Sequence, residues 1–360
     1  MRKTILFILP NLRAGGAEKV TTLLANYLDR KKFIPKLLLF QKEGIYLNIL
    51  KNDIEIIEIS VSRIRYSLFK ILKTIKKLQP DIVFSGFGEL NAFISPCLPF
   101  FKRIKFIARE TNVVSQHVKQ KRTLFFYRFY NNFDKIIAQS DDMKEDLIKN
   151  LRIRPEKIVK INNPIDMDFI QGKLKERGRP KEYFTEKKNF LSVGSLNHRK
   201  GFDFLLRVFS HLRNLPVHLF IIGEGPEEKK LLKMTQKLSL QNVSFLGIRA
   251  NPFLYMKYAD LFILSSRYEG FPNVLLEANA CGTPVVANHC KGGIDEIIQL
   301  GVNGEYGPIE DEKAFSNLIL KTLNRKDTYH NLSQIIREKY HVTRIVSSYA
   351  QVFESILQYQ

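Results

Sequence analysis

The chain has 360 residues, which is too long for one compact core and predicts two domains. It carries 57 Lys and Arg against 36 Asp and Glu, a net charge of +21, and 44% of its residues are hydrophobic, which excludes a wholly disordered chain. Its three cysteines, Cys97, Cys281 and Cys290, have no paired spacing, which excludes a disulfide framework and a zinc site and fits a reduced, cytoplasmic setting.

Short apolar runs alternate with helical patterns through residues 1–165. The runs are continuous stretches of Ile, Leu, Val and Phe, typical of strands buried on both faces of a parallel sheet. The first predicts a strand rather than a signal peptide, because Pro10 and a loop follow it without a small-residue cleavage site. Strands are predicted at 4–9, 35–40, 54–59, 81–84, 105–108, 135–138 and 157–161, with helices such as 18–29 and 68–78 between them.

The same alternation of apolar runs and helical patterns begins again at Asn189 and predicts a second domain over residues 189–335. Its strands are expected at 190–194, 217–223, 243–246, 260–265 and 284–287. Residues 166–188, rich in charges and containing Gly172, Gly178 and Pro180, are predicted as a linker. Residues 336–360 end in an amphipathic helical pattern that can pack on either domain, including a return to the first.

The predicted fold class is therefore α/β, with two Rossmann-like, doubly wound parallel-sheet domains facing a central cleft. Ligands of such sheets lie at the carboxyl ends of the strands. No segment reaches the ~18–20 uninterrupted apolar residues that a membrane-spanning helix needs.

One segment combines a strand, a loop and a helix start: residues 265–278. A helix is predicted to open near Pro272, and a helix N-terminus after a strand binds anions through its amides and its dipole. The amides from Phe271 to Val274 are candidates for a diphosphate, while Glu269 and Glu277 are candidates to accept hydrogen bonds from sugar or ribose hydroxyls. On physical grounds alone, an ordinary turn followed by a helix, with Glu269 and Glu277 in no binding role, explains the segment equally well.

The order of residues adds a resemblance. Glu269-x7-Glu277, followed by residues 280–286, is similar to the signature of retaining glycosyltransferases of family 4, which are nucleotide-sugar enzymes with the GT-B fold. The similar positions run from about residue 10 to residue 305. They include Gly15-Gly16-Ala17-Glu18, Val193-Gly194, Lys200-Gly201-Phe202-Asp203, Gly223-Glu224-Gly225-Pro226, Phe245-Leu246-Gly247, Gly292-Gly293 with Glu296, and Asn303-Gly304.

The resemblance implies a site for the sugar donor. Gly16 is expected to let the backbone approach the donor phosphates, and Lys200 to hold the diphosphate as a point charge. Glu269 is expected at the transferred sugar or its phosphate end, and Glu277 at the ribose. The implied donor-binding set is Gly15, Gly16, Gly194, Ser195, Lys200, Gly223, Ile248, Arg249, Glu269, Gly270, Phe271, Pro272, Asn273, Val274 and Glu277. The catalytic candidates are Lys200, Glu269, Arg199 and Glu110.

Two positions depart from the family pattern. Ser195 stands where the family commonly has an arginine, and Arg199 is the candidate to supply the missing charge. Glu110 stands nearest the position of a histidine that the family often places near the sugar's C6 hydroxyl. An ionised glutamate only accepts hydrogen bonds, so the donor sugar cannot be inferred across that change.

The reaction implied by the resemblance moves a sugar from a nucleotide diphosphate sugar, expected to be a UDP-sugar, to a hydroxyl of a glycan acceptor with retention of configuration. The acceptor is expected to be lipid-linked and the setting bacterial surface polysaccharide assembly. No cofactor or metal is expected; Asp166-Met167-Asp168 mimics a metal motif but follows a proline in the predicted linker. A nucleotide-sugar epimerase and a non-catalytic sugar-nucleotide-binding partner remain as alternatives.

The positive charge is concentrated in the first half. Residues 1–165 hold 31 basic and 15 acidic residues, against 26 and 21 in residues 166–360. Basic stretches with aromatics at 63–78 and 119–130 fit a membrane interface, although a solvated outer face of ordinary core helices fits as well. The resemblance favours an anionic membrane surface at the inner face of the cell membrane. The absence of a recognised binding module argues against nucleic acid.

Overall fold

The structure, a computed structural model, describes residues 1–61, 64–176 and 178–358. The chain divides into two compact units. The first consists of Met1–Pro164 together with Val342–Gln360, and the second of Ile165–His341.

The first unit is built on a parallel sheet with the strand order β3-β2-β1-β4-β5-β6-β7. Side chains of a strand alternate between its faces, so Ile5 and Phe7 enter one core while Leu6 and Ile8 enter the other. Burial on both faces is the reason for the continuous apolar runs. The strands are β1 Lys3–Leu9, β2 Phe33–Leu39, β3 Glu55–Glu58, β4 Ile82–Ser85, β5 Lys105–Arg109, β6 Lys135–Ala138 and β7 Ile158–Lys160.

Helices cover both faces of this sheet. Leu23 of the first helix packs into the core on one face, whereas Ile75, Leu90 and Met143 of three later helices pack into the core on the other. The helices are α1 Gly16–Tyr27, α2 Ile64–Leu78, α3 Gly88–Ile94, α4 Val114–His117, α5 Lys121–Phe126 and α6 Asp141–Lys149. Short 3₁₀ turns lie at Ile45–Ile49, Ser95–Phe100, Tyr127–Asn132 and Pro155–Lys157.

The second unit repeats the plan with a parallel sheet in the order β10-β9-β8-β11-β12-β13. Its strands are β8 Lys188–Val193, β9 Val217–Ile222, β10 Val243–Gly247, β11 Leu261–Leu264, β12 Val285–Asn288 and β13 Gly304–Gly307. Its helices are α7 Met167–Leu174, α8 Phe202–Ser210, α9 Glu228–Lys237, α10 Pro252–Tyr258, α11 Asn273–Ala280, α12 Ile294–Ile297, α13 Glu312–Asn324 and α14 Leu332–Tyr340. Short 3₁₀ turns lie at His198–Lys200 and Lys326–Thr328.

The segment predicted as a linker is part of the second unit. Residues 166–188 contain α7, whose Met167 and Ile170 are buried in the core of that unit. The Ile165 amide donates to the Tyr340 carbonyl at 2.8 Å, which ties the start of the unit to its last helix. The sequence did not predict this helix, because it contains Gly172, stands among many charged residues and buries few apolar side chains.

The C-terminal segment divides between the two units. Leu332–Tyr340 belongs to the second, whereas the last helix, α15 Val342–Leu357, packs into the first. Its Tyr349 and Phe353 rings lie 5.9 and 6.1 Å from the Phe84 ring. The buried Arg109 side chain donates to the Tyr349 hydroxyl at 3.2 Å and to Asn163 Oδ1 at 2.6 Å, which anchors this helix to the end of β5.

Candidate functional site

Three of the predicted site residues meet in the second unit. Lys200 Nζ donates to Glu269 Oε1 at 2.6 Å, and Arg199 Nη1 donates to Glu269 Oε2 at 2.7 Å. The Ser266 hydroxyl also donates to Oε1 at 2.6 Å. One carboxylate therefore holds two cations side by side, and Arg199 contributes one of them.

Glu269 is ionised within a buried setting. The residue is only 4% exposed. Burial alone would raise the pKa of this carboxyl, but the charges of Lys200 and Arg199 outweigh burial and lower the pKa to about 2. Glu269 is therefore an anion at neutral pH, and its carboxylate positions the two cations.

The cations are placed by the turn that follows β8. The 3₁₀ turn His198–Lys200 is capped by Asn197, whose side chain accepts from the Lys200 amide. The Ser265 hydroxyl donates to the Lys200 carbonyl at 2.8 Å, and the Arg267 amide donates to the Arg199 carbonyl at 2.8 Å. Hydrogen bonds to the Arg199 and Lys200 carbonyls, made by residues that follow the adjacent strand β11, thus bring distant parts of the sequence together.

Two residues that sequence reasoning left without a role hold this loop. Arg267 forms a two-pronged ion pair with Asp203, at 2.8 and 2.6 Å, and donates to the His198 carbonyl at 2.7 Å. Its guanidinium carbon also lies 4.1 Å from the centre of the Phe204 ring. Both residues stand inside the quoted motifs, but their pairing has no local signal because 64 positions separate them.

Close packing explains two of the predicted glycines. A Cβ on Gly194 would lie 3.3 Å from Lys200 Cε, so this glycine leaves room for the lysine side chain. Gly223 has φ +139, and a Cβ there would lie 2.0 Å from the Gly194 carbonyl oxygen. These glycines lie at the ends of β8 and β9, next to the cations, whereas Ser195 is exposed.

The predicted anion-binding helix is α11, which begins at Asn273 after an N-cap at Pro272. Phe271 is buried and its ring lies 5.7 Å from that of Tyr340, which fixes the loop between Gly270 and the helix. Val274 packs at the edge of the same core, and Glu277 is half-buried one turn further along. The helix start therefore follows Glu269 directly, as the motif predicts.

The two residues expected near the nucleotide base differ in how accessible they are. Ile248 follows the positive-φ Gly247 and is 68% exposed. Arg249 is engaged within the unit, because it donates to Tyr255 Oη at 3.0 Å and to Glu182 Oε1 at 3.1 Å. The Ile248 side chain is thus exposed, whereas the Arg249 guanidinium is already hydrogen-bonded to Tyr255 and Glu182.

In the first unit, Gly15 is the N-cap of α1 and Gly16 is its first residue. A Cβ on Gly15 would lie 2.1 Å from Glu18 Oε2, so Glu18 folds back over the helix start. Burial raises the pKa of Glu18, which the neighbouring Arg109 charge counteracts only in part.

Glu110 occupies a very different environment from Glu269. It is 2% exposed, and the hydroxyl of Tyr130 and the amide of Asn91 donate to its Oε1, the amide at 3.3 Å. The Tyr127 hydroxyl donates to Oε2 at 3.5 Å. Burial raises the pKa of this carboxyl, and these hydrogen bonds offset the rise only in part. The sequence analysis counted Tyr127 and Tyr130 among the aromatics of the basic stretch at 119–130, but both are buried and contact Glu110 instead of a membrane surface.

The acidic pair that mimics a metal motif serves helix α7. The Asp166 side chain accepts from the Phe169 amide at 2.9 Å as N-cap, and Asp168 lies in the first turn, where an acid complements the helix dipole.

Two family models together match most of the chain. The family described as glycosyl transferases group 1 matches residues 175–339, and Glycosyltransferase Family 4 matches residues 14–169. These ranges correspond closely to the second unit and to the main part of the first.

Relatives and solved structures agree with these matches. The chain is 29% identical to an N-acetylgalactosamine-N,N'-diacetylbacillosaminyl-diphospho-undecaprenol 4-alpha-N-acetylgalactosaminyltransferase of Campylobacter jejuni, over 82% of this chain and 83% of the relative. It is 28% identical to an uncharacterized glycosyltransferase, MJ1059, of Methanocaldococcus jannaschii, over 80% and 83%. The structure of Anabaena Alr3699/HepE in complex with UDP-glucose matches with a TM-score of 0.83 at 22% identity, over 98% of this chain and all of that one.

Proposed function

Because this chain is a glycosyltransferase of the family 4 type with the GT-B fold, we propose that it transfers a sugar from a UDP-sugar to a hydroxyl of a lipid-linked glycan, with retention of configuration. The setting we propose is surface polysaccharide assembly in a bacterium. The observation that carries the proposal is the pairing of Lys200 and Arg199 on the buried Glu269 carboxylate, next to the start of α11.

This arrangement suits the departure of a nucleoside diphosphate. When the bond between the sugar and the diphosphate breaks, negative charge develops on the leaving oxygen. Two cations fixed by a buried anion stabilise that charge without having to reorganise during the reaction. The amides at the start of α11 and the positive end of its dipole add to the same effect. We propose that the reaction needs no metal ion, with Lys200, Arg199 and the start of α11 stabilising the charge that develops on the leaving group.

UDP is the proposed nucleotide because HepE, which shares the fold, is described in complexes with UDP and UDP-glucose. A lipid-linked acceptor is proposed because the Campylobacter relative is named for an acceptor on diphospho-undecaprenol. Retention is proposed because the Glu269-x7-Glu277 motif resembles the signature of retaining glycosyltransferases of family 4.

The test is a thermal-shift screen of the full chain against UDP, GDP and ADP, because a ligand that binds only the folded state raises the melting temperature. UDP is expected to stabilise the protein most. Turnover of the matching UDP-sugars with a lipid-linked glycan follows, and NMR of the product gives the anomeric configuration. Stabilisation by no nucleoside diphosphate would refute the donor assignment, and sugar interconversion without an acceptor would point to an epimerase.

We also propose that the first unit docks on an anionic membrane surface. Residues 59–80, 90–109 and 111–133 contain no Asp or Glu. These segments include α2, the 3₁₀ turn Ser95–Phe100 and α5, and they expose Phe69, Phe100 and Phe125 among lysines and arginines. Arg63 of the predicted basic stretch lies outside the described residues, as does the side chain of Arg65. Among the described residues, no helix has the length and apolarity needed to cross a bilayer.

Vesicle sedimentation tests this surface. We expect the protein to bind phosphatidylglycerol vesicles at low salt, less at high salt, and hardly at all to phosphatidylcholine, because each basic residue near an anionic surface contributes about 1 kcal/mol. Phe125→Ala should weaken binding, whereas Leu232→Ala, which removes an exposed leucine of the second unit, should not. Binding that ignores salt would contradict the proposal.

A further inference from the structure

A cavity of about 290 Å³ lies inside the first unit, beside the carboxyl ends of β4 and β5. Its lining includes Phe87, Gly88, Glu110, His117, Thr123 and Tyr127. The volume is near the lower end of the roughly 300–1,000 Å³ typical of small-molecule pockets. It therefore suits one sugar ring rather than a whole nucleotide.

The two oxygens of Glu110 face different surroundings. Oε1 is turned to Asn91 and Tyr130, within the protein. Oε2 lies beside Gly88 and Tyr127, both of which line the cavity. A Cβ on Gly88 would come within 2.9 Å of Oε2, so the glycine allows the backbone to pass close to that oxygen. One edge of the buried carboxyl is thus held within the protein, while its other edge lies among residues that line the cavity.

The rest of the lining combines apolar and polar groups. Phe87, Val114 and Val118 supply apolar surface, while Thr123, which is 6% exposed, supplies a buried hydroxyl. A pyranose ring has the same mixture, with C–H groups on its faces and hydroxyl or N-acyl groups at its edge. Buried polar groups discriminate strongly between ligands, because a ligand that fails to satisfy them leaves them unpaired.

Charge varies along the cavity. The carboxyl of Glu110 is buried, whereas His117 and Lys119 are exposed and therefore lie on its solvent side. A buried carboxyl disfavours an anionic ligand next to it. The group that reaches Glu110 is accordingly neutral, and any phosphate attached to the ligand belongs near the exposed Lys119.

From this geometry we propose that the cavity binds one neutral pyranose ring of the acceptor, and that Glu110 determines which sugar is accepted through a hydrogen bond from a ring substituent to Oε2. The inference rests on the proposed glycosyl transfer for the identity of the ligand as acceptor. It assigns Glu110 to acceptor recognition, in place of the position near the donor sugar that the family resemblance implied.

Ligand-observed NMR of the full chain tests the cavity directly, with the methyl glycosides of glucose, galactose, N-acetylglucosamine and N-acetylgalactosamine as probes and inorganic phosphate as an anionic competitor. We expect at least one glycoside to bind and phosphate not to displace it. Glu110→Gln should weaken that binding about 3- to 10-fold, which is the effect of one altered hydrogen bond. Val118→Phe, which fills the cavity from a half-buried wall position, should abolish it.

Glu145→Gln is the matched control, because this exposed carboxylate lies on α6 of the same unit, away from the cavity lining. Binding that survives Val118→Phe, displacement by phosphate, or no binding of any glycoside to the unaltered protein would overturn the inference. UDP stabilisation, measured in parallel, separates the two proposals. If UDP stabilises the protein but no glycoside binds, only the cavity assignment fails; if UDP does not, the proposed function fails.

Discussion

Glu110 in the first unit and Glu269 in the second are both buried glutamates that follow a strand of a parallel sheet, yet their proton affinities are shifted in opposite directions. Glu269 has Lys200 and Arg199 as direct partners, and their charges lower its pKa to about 2. Glu110 has tyrosine hydroxyls and an amide as partners, and burial raises its pKa. Burial raises the cost of ionisation in both, and direct ion pairs with cations offset that cost in Glu269, whereas the neutral donors and the neighbouring Arg109 charge offset it only in part in Glu110.

The two carboxyl groups are therefore suited to different functions. A carboxylate paired with two cations holds positive charge in a fixed place, which suits the proposed stabilisation of a leaving diphosphate. A carboxyl held by neutral donors is suited to recognising neutral groups. Two copies of one residue type in two similar sheets can therefore serve donor chemistry and acceptor recognition.

The largest expected effect is on turnover. Lys200→Ala removes one of the two cations on Glu269, so we expect kcat to fall by about 10²–10³, as when one group that stabilises developing charge is removed. Lys233→Ala, on the exposed surface of α9, is the matched control and should leave kcat unchanged. An unchanged rate in Lys200→Ala would mean that the cluster does not contact the leaving group.

The next effect is on stability in acid. Because the pKa of Glu269 is lowered from 4.5 to about 2, its contribution is present above pH 4.5 and is lost as the pH falls towards 2. This contribution is on the order of 3 kcal/mol. Glu269→Gln should therefore flatten the decline of the unfolding free energy between pH 5 and pH 3, as measured by urea denaturation. Glu186→Gln, at an exposed position, should retain the decline. Equal slopes would show that the pair does not hold Glu269 ionised.

The smallest effect has the opposite sign. Because the pKa of Glu110 is raised, its contribution is full below pH 4.5 and is lost as the pH rises through the raised pKa. We expect Glu110→Gln to remove this loss of unfolding free energy with rising pH, because a glutamine does not ionise. Urea denaturation from pH 4 to pH 8 measures it, with Glu145→Gln as the reference. A greater stability loss with rising pH in the glutamine variant than in the parent would contradict this prediction.

The sequence predicted the strands well where they are buried on both faces, because continuous apolar runs leave little ambiguity. It missed β13, because Gly304-Glu305-Tyr306-Gly307 reads as a turn, and this strand exists only by pairing with β12. It missed α7 for a related reason, since the burial of Met167 and Ile170 depends on the rest of the second unit.

The sequence by itself determined the α/β plan, the start of α11 and the residue types of the donor motif, because these depend on local patterns. Tertiary structure decided that Arg199 reaches Glu269, that Arg267 pairs with Asp203, and that Glu110 lies among tyrosines. The direction of a side chain and the polarity around it come from contacts between distant segments. The 69 positions between Lys200 and Glu269 carry no signal of their 2.6 Å contact until the two strand ends meet.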